Sequence, residues 1–233
     1  MPPAQVWLYV LLGLLLVAAA VVILAVTRHA PRSRAAELLG RGAFAAARRH
    51  GGATPAARLA AATAARHLLD LEAAASLLDT VLAEDPGDGE ALLERGLVAA
   101  YAGSHDEAAE LLRRAAAARA DLAESITLHL AWLELRRGDR RAAGRRFEEV
   151  EASLESKLRA DLGGDPLFAE WFLQAALLWR AAGDEARADW AWREGLAAAP
   201  ESRLAEALGG ERSPAAPPDG ASGLAHRATP GNV

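Results

Sequence analysis

The apolar positions of this chain change their pattern near residue 27. Residues 6–26 form an unbroken run without a charged side chain. A helix of about 20 such residues crosses the ~30 Å hydrocarbon layer of a membrane, and Trp7 and Tyr9 lie near one end, where aromatic rings favour the interface. No basic stretch precedes the run and no small-residue cleavage site follows it. The run therefore predicts an uncleaved transmembrane anchor rather than a signal peptide.

Charge flanks this run on one side only. Residues 1–5 carry no charged side chain, whereas Arg28, Arg32, Arg34 and Arg41 follow the run. The positive-inside rule then predicts that the N-terminus lies outside and that the long C-terminal part lies in the cytoplasm. The expected location is the inner membrane of the cell, which the chain crosses once.

Beyond the predicted anchor, the apolar residues recur at helical spacing and one short phrase repeats. In this phrase an alanine lies five positions after a glycine, and a large apolar residue lies four positions after the alanine. The complete copies are Gly103, Ala108 and Leu112, then Gly138, Ala143 and Phe147, then Gly183, Ala188 and Trp192. A further copy, Ala74 and Leu78, lacks only the glycine. The repetition predicts stacked helical hairpins in which the glycine supplies the left-handed residue that ends the first helix.

The alanines of the phrase mark a repeat of about 34 residues. The last interval is longer, and we interpret its extra residues, at 150–168, as an insertion between units. Small residues at facing points of two helices let their backbones approach, while a bulky neighbour fills the gap beside them.

These positions resemble the tetratricopeptide repeat family, whose pattern is W-x2-L-G-x2-Y, then A-x3-F, then P. In the family's frame, the small residues of the first helices are Ala62, Gly96, Ala131 and Ala176. Later positions of that frame are Val81, Ala115, Val150 and Gly195, with Pro86 and Pro200 at the closing proline of two units. The family's tryptophan and leucine in the first helix are mostly replaced here, for example by Arg58 and Ala61. The resemblance implies an all-α fold: an α-solenoid of about four hairpins after one transmembrane helix. The expected divisions are a short extracytoplasmic N-terminus at 1–5, the transmembrane helix at 6–26, a basic juxtamembrane segment with a degenerate hairpin at 27–54, the repeats at 55–200, a capping helix at 201–209 and a disordered tail at 210–233.

Composition narrows the possible chemistry. The chain has no cysteine, which excludes disulfides, thiolate metal sites and cysteine nucleophiles. Its net charge of −5 argues against nucleic-acid binding, and its six histidines form no pair with metal-ligand spacing. We therefore expect no catalytic residue, no cofactor and no metal site. The arginines between 136 and 146 form either a solvated helix face or a contact for anionic headgroups or an acidic partner.

The family resemblance also implies a concave groove, lined by the first helices, that holds a peptide or helix of a partner protein. The positions that match the family's groove are Arg66, His67, Glu90, Leu93, Glu94, Leu97, Tyr101, Ser125, Leu128, His129, Trp132, Arg136, Glu170, Leu173, Gln174, Leu177 and Arg180. Trp132 and Tyr101 are large amphipathic residues of the kind that anchor interfaces. For Trp132 and the leucines, packing between units is the alternative role. The other tryptophans, Trp171, Trp179, Trp190 and Trp192, are expected mostly to fill the last units.

Together these features predict a membrane-tethered adaptor that binds protein partners and assists the assembly or recruitment of an envelope or membrane complex. The layout is similar to that of bacterial anchored repeat proteins, and the expected partners are membrane-associated proteins. Two alternatives remain: a homo-oligomeric structural scaffold, and a non-catalytic regulatory subunit of a membrane enzyme. The repeat phrase specifies helix packing, so it does not identify the partner.

Overall fold

The computed structural model describes residues 33–160 and 164–209. Over these residues the chain is helical and contains no strand, which confirms the predicted all-α class. No helix within these two ranges is both long and apolar enough to cross a membrane. The predicted segments at 1–5 and 6–26, the start of the juxtamembrane segment and the tail at 210–233 all lie outside the described residues.

The described helices follow one another with short connections. They are α1 (Arg34–Gly40), α2 (Phe44–Arg49), α3 (Pro55–His67), α4 (Leu71–Glu84), α5 (Gly89–Tyr101), α6 (His105–Ala118), α7 (Ala123–Arg136), α8 (Arg140–Glu148), α9 (Glu151–Ala160), α10 (Ala169–Ala181), α11 (Glu185–Ala198) and α12 (Leu204–Gly209). Single turns of 3-10 helix precede α7 at Ala120–Leu122 and α10 at Pro166–Phe168. The pairs α3–α4, α5–α6, α7–α8 and α10–α11 pack as hairpins.

Polar side chains fix where several of these helices begin. The Thr54 hydroxyl accepts a hydrogen bond from the Ala57 amide, and Pro55 takes the first helical position of α3. Asp88 and Asp139 accept bonds from first-turn amides of α5 and α8 in the same way. Each such cap satisfies a backbone donor that the helix itself leaves open and contributes about 1 kcal/mol.

The repeated glycines end the first helix of their hairpins. Gly103, Gly138 and Gly183 have φ angles of 85°, 83° and 88°, which confirms the predicted left-handed turn. At Gly103 the turn is closed by hydrogen bonds from the Ser104 amide to the Ala99 carbonyl and from the Gly103 amide to the Ala100 carbonyl. Leu69 holds the equivalent position in the copy that lacks a glycine, and it adopts a φ of 58°. The turn is therefore kept even where its residue is unfavourable.

Two glycines only a few residues apart give a matched test of this turn. Gly138→Ala is expected to lower the free energy of unfolding by about 1 kcal/mol, because alanine resists the left-handed conformation. Gly144→Ala, inside α8, is expected to raise it by about 0.5–1 kcal/mol, because alanine favours the helix. A Cβ at either position meets no atom within 4 Å, so backbone conformation alone decides the sign. Urea unfolding measures both changes, and shifts of the same sign would contradict this account.

Close helix approach explains the small residues at the helix crossings within the hairpins. A Cβ added to Gly96 of α5 would lie 3.1 Å from Leu112 Cγ on α6, and one added to Gly195 of α11 would lie 3.0 Å from the Ala169 carbonyl oxygen. Ala108 and Leu112 are both fully buried at the first of these crossings. The alanine and the large apolar residue of each copy thus lie in the interior of the hairpin, whereas the glycine lies in its exposed turn.

The stack of hairpins curves until its two ends meet. Ala169 of α10 belongs to the same apolar cluster as Ala60 and Ala64 of α3. The Arg203 amide, just before α12, donates to the carbonyl of His67 at the end of α3 with an N···O distance of 2.7 Å. The first helices of the first and last hairpins consequently face each other across a short gap.

Additional helices fill the margins of the stack. In α9, within the range interpreted as an insertion, Leu154 and Leu158 are buried in the main apolar cluster. In α12, Leu204 and Leu208 are fully buried in the same cluster. Near the N-terminal end of the described chain, α1 and α2 pack on each other and on α3.

Candidate functional site

The first helices of the hairpins surround a central cavity of about 540 Å³. Its walls come from α1, α3, α5, the start of α7 and the turn that leads into α10. Leu167 at its edge is 40% exposed, so the cavity communicates with solvent. The apolar part of the lining consists of Ala36, Leu39, Ala56, Leu59, Ala60, Leu93, Leu97, Leu122, Leu167, Phe168 and Trp171.

The floor of the central cavity is an ion cluster that joins three helices. Arg66 of α3 donates from Nε and Nη2 to the two carboxylate oxygens of Glu94 on α5, over 2.9 and 3.2 Å. Its Nη1 donates to Glu170 Oε2 on α10, over 2.5 Å. The side chains of Arg66 and Glu170 are each 3% exposed and that of Glu94 is 15% exposed. We call Arg66, Glu94 and Glu170 the ionic floor.

A chain of hydrogen bonds extends the ionic floor toward α7. Glu170 Oε1 accepts from the Tyr101 hydroxyl over 2.8 Å and from Gln174 Nε2 over 3.0 Å. This orients the Gln174 amide so that its Oε1 faces His129 Nδ1 at 2.8 Å. Because Oε1 can only accept, His129 carries its proton on Nδ1.

The charge states of this cluster follow from competition between burial and neighbouring charges. Burial alone would raise the pKa of Glu170, but the Arg66 guanidinium outweighs it and holds that pKa below its usual value. Burial would lower the pKa of Arg66, and the charges of Glu170 and Glu94 reverse this and raise it. Burial lowers the pKa of His129 and raises that of Tyr101. At neutral pH Glu170 and Arg66 are therefore ionised, while His129 and Tyr101 are neutral.

His67 ties the floor region to the C-terminal end of the stack. Its ring stacks on Phe44 of α2, with centroids 4.3 Å apart, and its Nδ1 lies 3.1 Å from the Ser202 hydroxyl. The side chain is buried, and burial together with the adjacent Arg66 charge lowers the pKa of His67 to about 3. The ring is accordingly neutral in the folded state.

Acid should destabilise the fold through His67. The pKa of His67 is about 3 in the folded state and about 6.5 in the unfolded state. Between these pH values the unfolded state binds one more proton than the folded state, so stability falls as pH falls. Lowering the pH from 7 to 4.5 is expected to remove about 2–3 kcal/mol through this residue. Urea unfolding across this range measures the loss. His67→Phe keeps a ring against Phe44, and over the same pH range it should lose about 2 kcal/mol less stability than the wild type. A pH dependence equal to that of the wild type would contradict the lowered pKa of His67.

The structure brings together about half of the sequence-predicted groove positions. Those that line the central cavity are Arg66, His67, Glu90, Leu93, Glu94, Leu97, Ser125, His129 and Glu170. Four others are buried in the protein and offer no surface to a partner: Leu128, Leu173, Gln174 and Leu177. Arg180 forms ion pairs with Glu185 and Asp189 instead.

The two residues expected to anchor a partner have internal roles. Trp132 is fully buried, with its ring centroid 5.1 Å from that of Tyr101 and 5.5 Å from the Arg136 guanidinium. Tyr101 is half-buried, and its hydroxyl is bonded to Glu170. The alternative considered for Trp132, packing between units, is the one the structure shows. The reason is the tight curvature of the stack, which buries positions that face outward in an open groove.

Several cavity residues were not among the predicted positions. Phe168 and Trp171 flank the start of α10, and their rings contact each other with centroids 4.9 Å apart. Leu59 and Leu122 complete the wall from α3 and the turn before α7. Leu167 lies in the 3-10 turn and Trp171 in the first turn of α10, so helical spacing alone does not group them.

The arginine cluster of α8 lies apart from the central cavity. On α8, Arg140, Arg141 and Arg145 are exposed, and none forms an ion pair within the described part of the chain. Among residues 33–160 and 164–209, no group of His, Asp and Glu side chains is arranged to hold a metal ion.

Comparison with known proteins finds only distant similarity to solved structures. No family model and no curated protein matches the chain. Among solved structures, the crystal structure of MamA is 15% identical, with 70% of this chain and 92% of that chain covered and a TM-score of 0.43. MamA MSR-1 C2 is also 15% identical, with 70% and 91% covered and a TM-score of 0.44. Both TM-scores are below 0.5, so nothing further about this chain is concluded from these structures.

Proposed function

We propose that the helical stack is a protein-interaction module whose central cavity receives side chains of a partner protein. The observation that carries this proposal is the cavity itself: an apolar rim around a buried polar floor, built by helices from all four hairpins. A well-packed pocket of this kind is where interface energy concentrates. Its volume of about 540 Å³ is also within the usual range for binding sites.

The size of the cavity restricts what enters it. A helix with its side chains is about 10–12 Å wide, so two of its turns occupy roughly 1,000 Å³. The cavity offers about half of that volume. A partner segment would therefore rest on the rim formed by Leu93, Leu122, Leu167 and Trp171 and insert only one or a few side chains.

Binding, rather than catalysis, suits the side chains in the cavity. The hydroxyls that line it belong to Thr63 and Ser125, and both donate to backbone carbonyls of their own helix or turn. Neither hydroxyl therefore donates to His129, which would have to act as its base. The lowered pKa of His129, caused by burial, further reduces its basicity at neutral pH.

The proposed module is tethered to a membrane. The uncharged run at 6–26, followed by arginines, supports a single-pass anchor with the module on the cytoplasmic side of the inner membrane. Confinement to the membrane surface would raise the effective concentration of the cavity toward membrane-associated partners. In this setting the module acts as an adaptor in the assembly or recruitment of a membrane complex.

Photo-crosslinking in intact cells tests this proposal with the full-length chain. A benzophenone side chain in place of Leu167, at the exposed edge of the cavity, is expected to capture a partner protein. The same group in place of Arg113, exposed on α6 away from the cavity, should not. Capture of a second copy of the chain from position 167 would favour the homo-oligomeric scaffold instead. Absence of any adduct specific to position 167 would contradict binding at the cavity.

A further inference from the structure

The ionic floor is unbalanced in charge. It contains one guanidinium and two carboxylates, and the Arg66 nitrogens Nε, Nη1 and Nη2 all donate to those carboxylates. Glu94, at 15% exposure, is the member that reaches furthest toward solvent. A ligand that enters the cavity consequently meets a net negative floor.

His129 adds a hydrogen-bond acceptor to the same cavity. The bonds through Gln174 place its proton on Nδ1, so Nε2 of the neutral ring carries a lone pair. His129 lines the cavity, and among residues 33–160 and 164–209 its ring forms a hydrogen bond only through Nδ1, to Gln174. A ligand that fills the cavity without offering a donor would desolvate this acceptor at a cost in free energy, whereas a ligand N–H could bond to it.

The walls suit the stem of a long basic side chain. Leu93, Leu97 and Leu122 present aliphatic surface, along which the methylene groups of lysine or arginine can pack. The aromatic rings of Phe168 and Trp171 stand at the side of α10, and their faces attract cations.

We infer that the central cavity accepts the lysine or arginine side chain of an apolar segment of a partner protein. An acidic side chain would face the net charge of the floor, and a purely apolar one would desolvate Glu94 and His129 without replacing their hydrogen bonds. A basic side chain flanked by apolar residues satisfies the floor, the walls and the rim together. This inference rests on the proposed function and specifies the chemistry of its partner.

Peptide selection on the full-length protein in detergent tests the inference. Peptides displayed on phage are selected on the wild type and counter-selected on Leu93→Trp, whose larger side chain would block the cavity. The expected peptides share one lysine or arginine among apolar residues. Replacing that residue by norleucine should weaken binding by about tenfold or more.

A second arm of the experiment tests whether the selected peptide interacts with the ionic floor. Glu94→Gln removes one negative charge while retaining an acceptor for Arg66. It should weaken the basic peptide by about tenfold and leave the norleucine peptide unchanged. Glu110→Gln, on the exposed surface of α6, should alter neither. Should Glu94→Gln fail to fold, as judged by thermal melting, the norleucine exchange still decides the question.

The possible failures are distinguishable. Peptides that depend on the open cavity but tolerate norleucine, or that carry an acidic residue, would overturn the cationic inference and leave the proposed function standing. Peptides that bind Leu93→Trp as well as the wild type would count against the cavity as the binding site. A selection that enriches no peptide sensitive to Leu93→Trp would count against the proposed function in the same way.

Discussion

Arg66→Ala is expected to lower the free energy of unfolding by about 3–5 kcal/mol, because it leaves two carboxylates inside the protein without their cation. Glu170 would lose its bond to Arg66 Nη1, and Glu94 would lose both of its bonds to the same guanidinium. The side chain of Glu170 is only 3% exposed, so solvent cannot replace the lost interaction. Urea unfolding at pH 7, followed by the helical circular-dichroism signal, measures the change.

An exposed ion pair supplies the control. Arg113 lies 2.9 Å from Glu110 on the surface of α6, and both side chains are more than 60% exposed. Arg113→Ala should change the free energy of unfolding by less than about 1 kcal/mol, as is usual for solvated pairs. A loss of similar size in the two variants would show that burial of the ionic floor contributes little.

The pH dependence of the Arg66 variant provides a second signature. In the wild type the pKa of Glu170 is below its unfolded value, so its contribution is present above the unfolded pKa and is lost as pH falls through the folded one. Without Arg66, burial is expected to raise the pKa of Glu170 above the unfolded value. Folding of the variant would then bind a proton, and its deficit relative to wild type should shrink as pH falls from 7 toward 5.

The hairpins could be predicted from sequence because their determinants are local. A residue in the left-handed conformation is needed where the first helix ends, and Gly103 and Gly138 meet this need within their own hairpin. Close helix approach likewise needs a small residue such as Gly96, which faces Leu112 only one helix away. Both requirements act over a few turns of chain, so they leave a readable spacing.

Closure of the stack could not be predicted in this way. Arg66 and Glu170 are 104 positions apart, and their contact depends on the small rotations accumulated over all the intervening helices. The helix α9, within the 150–168 range, adds a further displacement that no repeat spacing encodes. The family resemblance selected Arg66, Glu94 and Glu170 as groove positions one by one. Their pairing, and the burial of Trp132 beneath them in the curved stack, required the three-dimensional structure.

Trp132→Ala is expected to lower the free energy of unfolding by about 3–5 kcal/mol, because it empties a fully enclosed ring site. Trp132 has no exposed surface and packs on Tyr101, which in turn bonds to Glu170. Loss of partner binding in this variant would therefore report damage to the fold rather than a lost contact. Urea unfolding measures the change in stability, and a loss below about 1 kcal/mol would contradict full burial of the ring.

Tryptophan-to-phenylalanine changes at two sites separate packing from hydrogen bonding. Trp132 and Trp179 are both fully buried. Trp132 Nε1 has no hydrogen-bond partner among the described residues, whereas Trp179 Nε1 donates to Glu151 over 2.9 Å. Removing a buried donor that has no partner raises the free energy of unfolding by about 1–3 kcal/mol. In Trp132→Phe this gain offsets the packing lost with the smaller ring, so the stability of the variant should be within about 1 kcal/mol of wild type. Trp179→Phe loses ring volume and a bond together and should cost about 2 kcal/mol; equal losses at the two sites would show that the Trp132 indole N–H is satisfied.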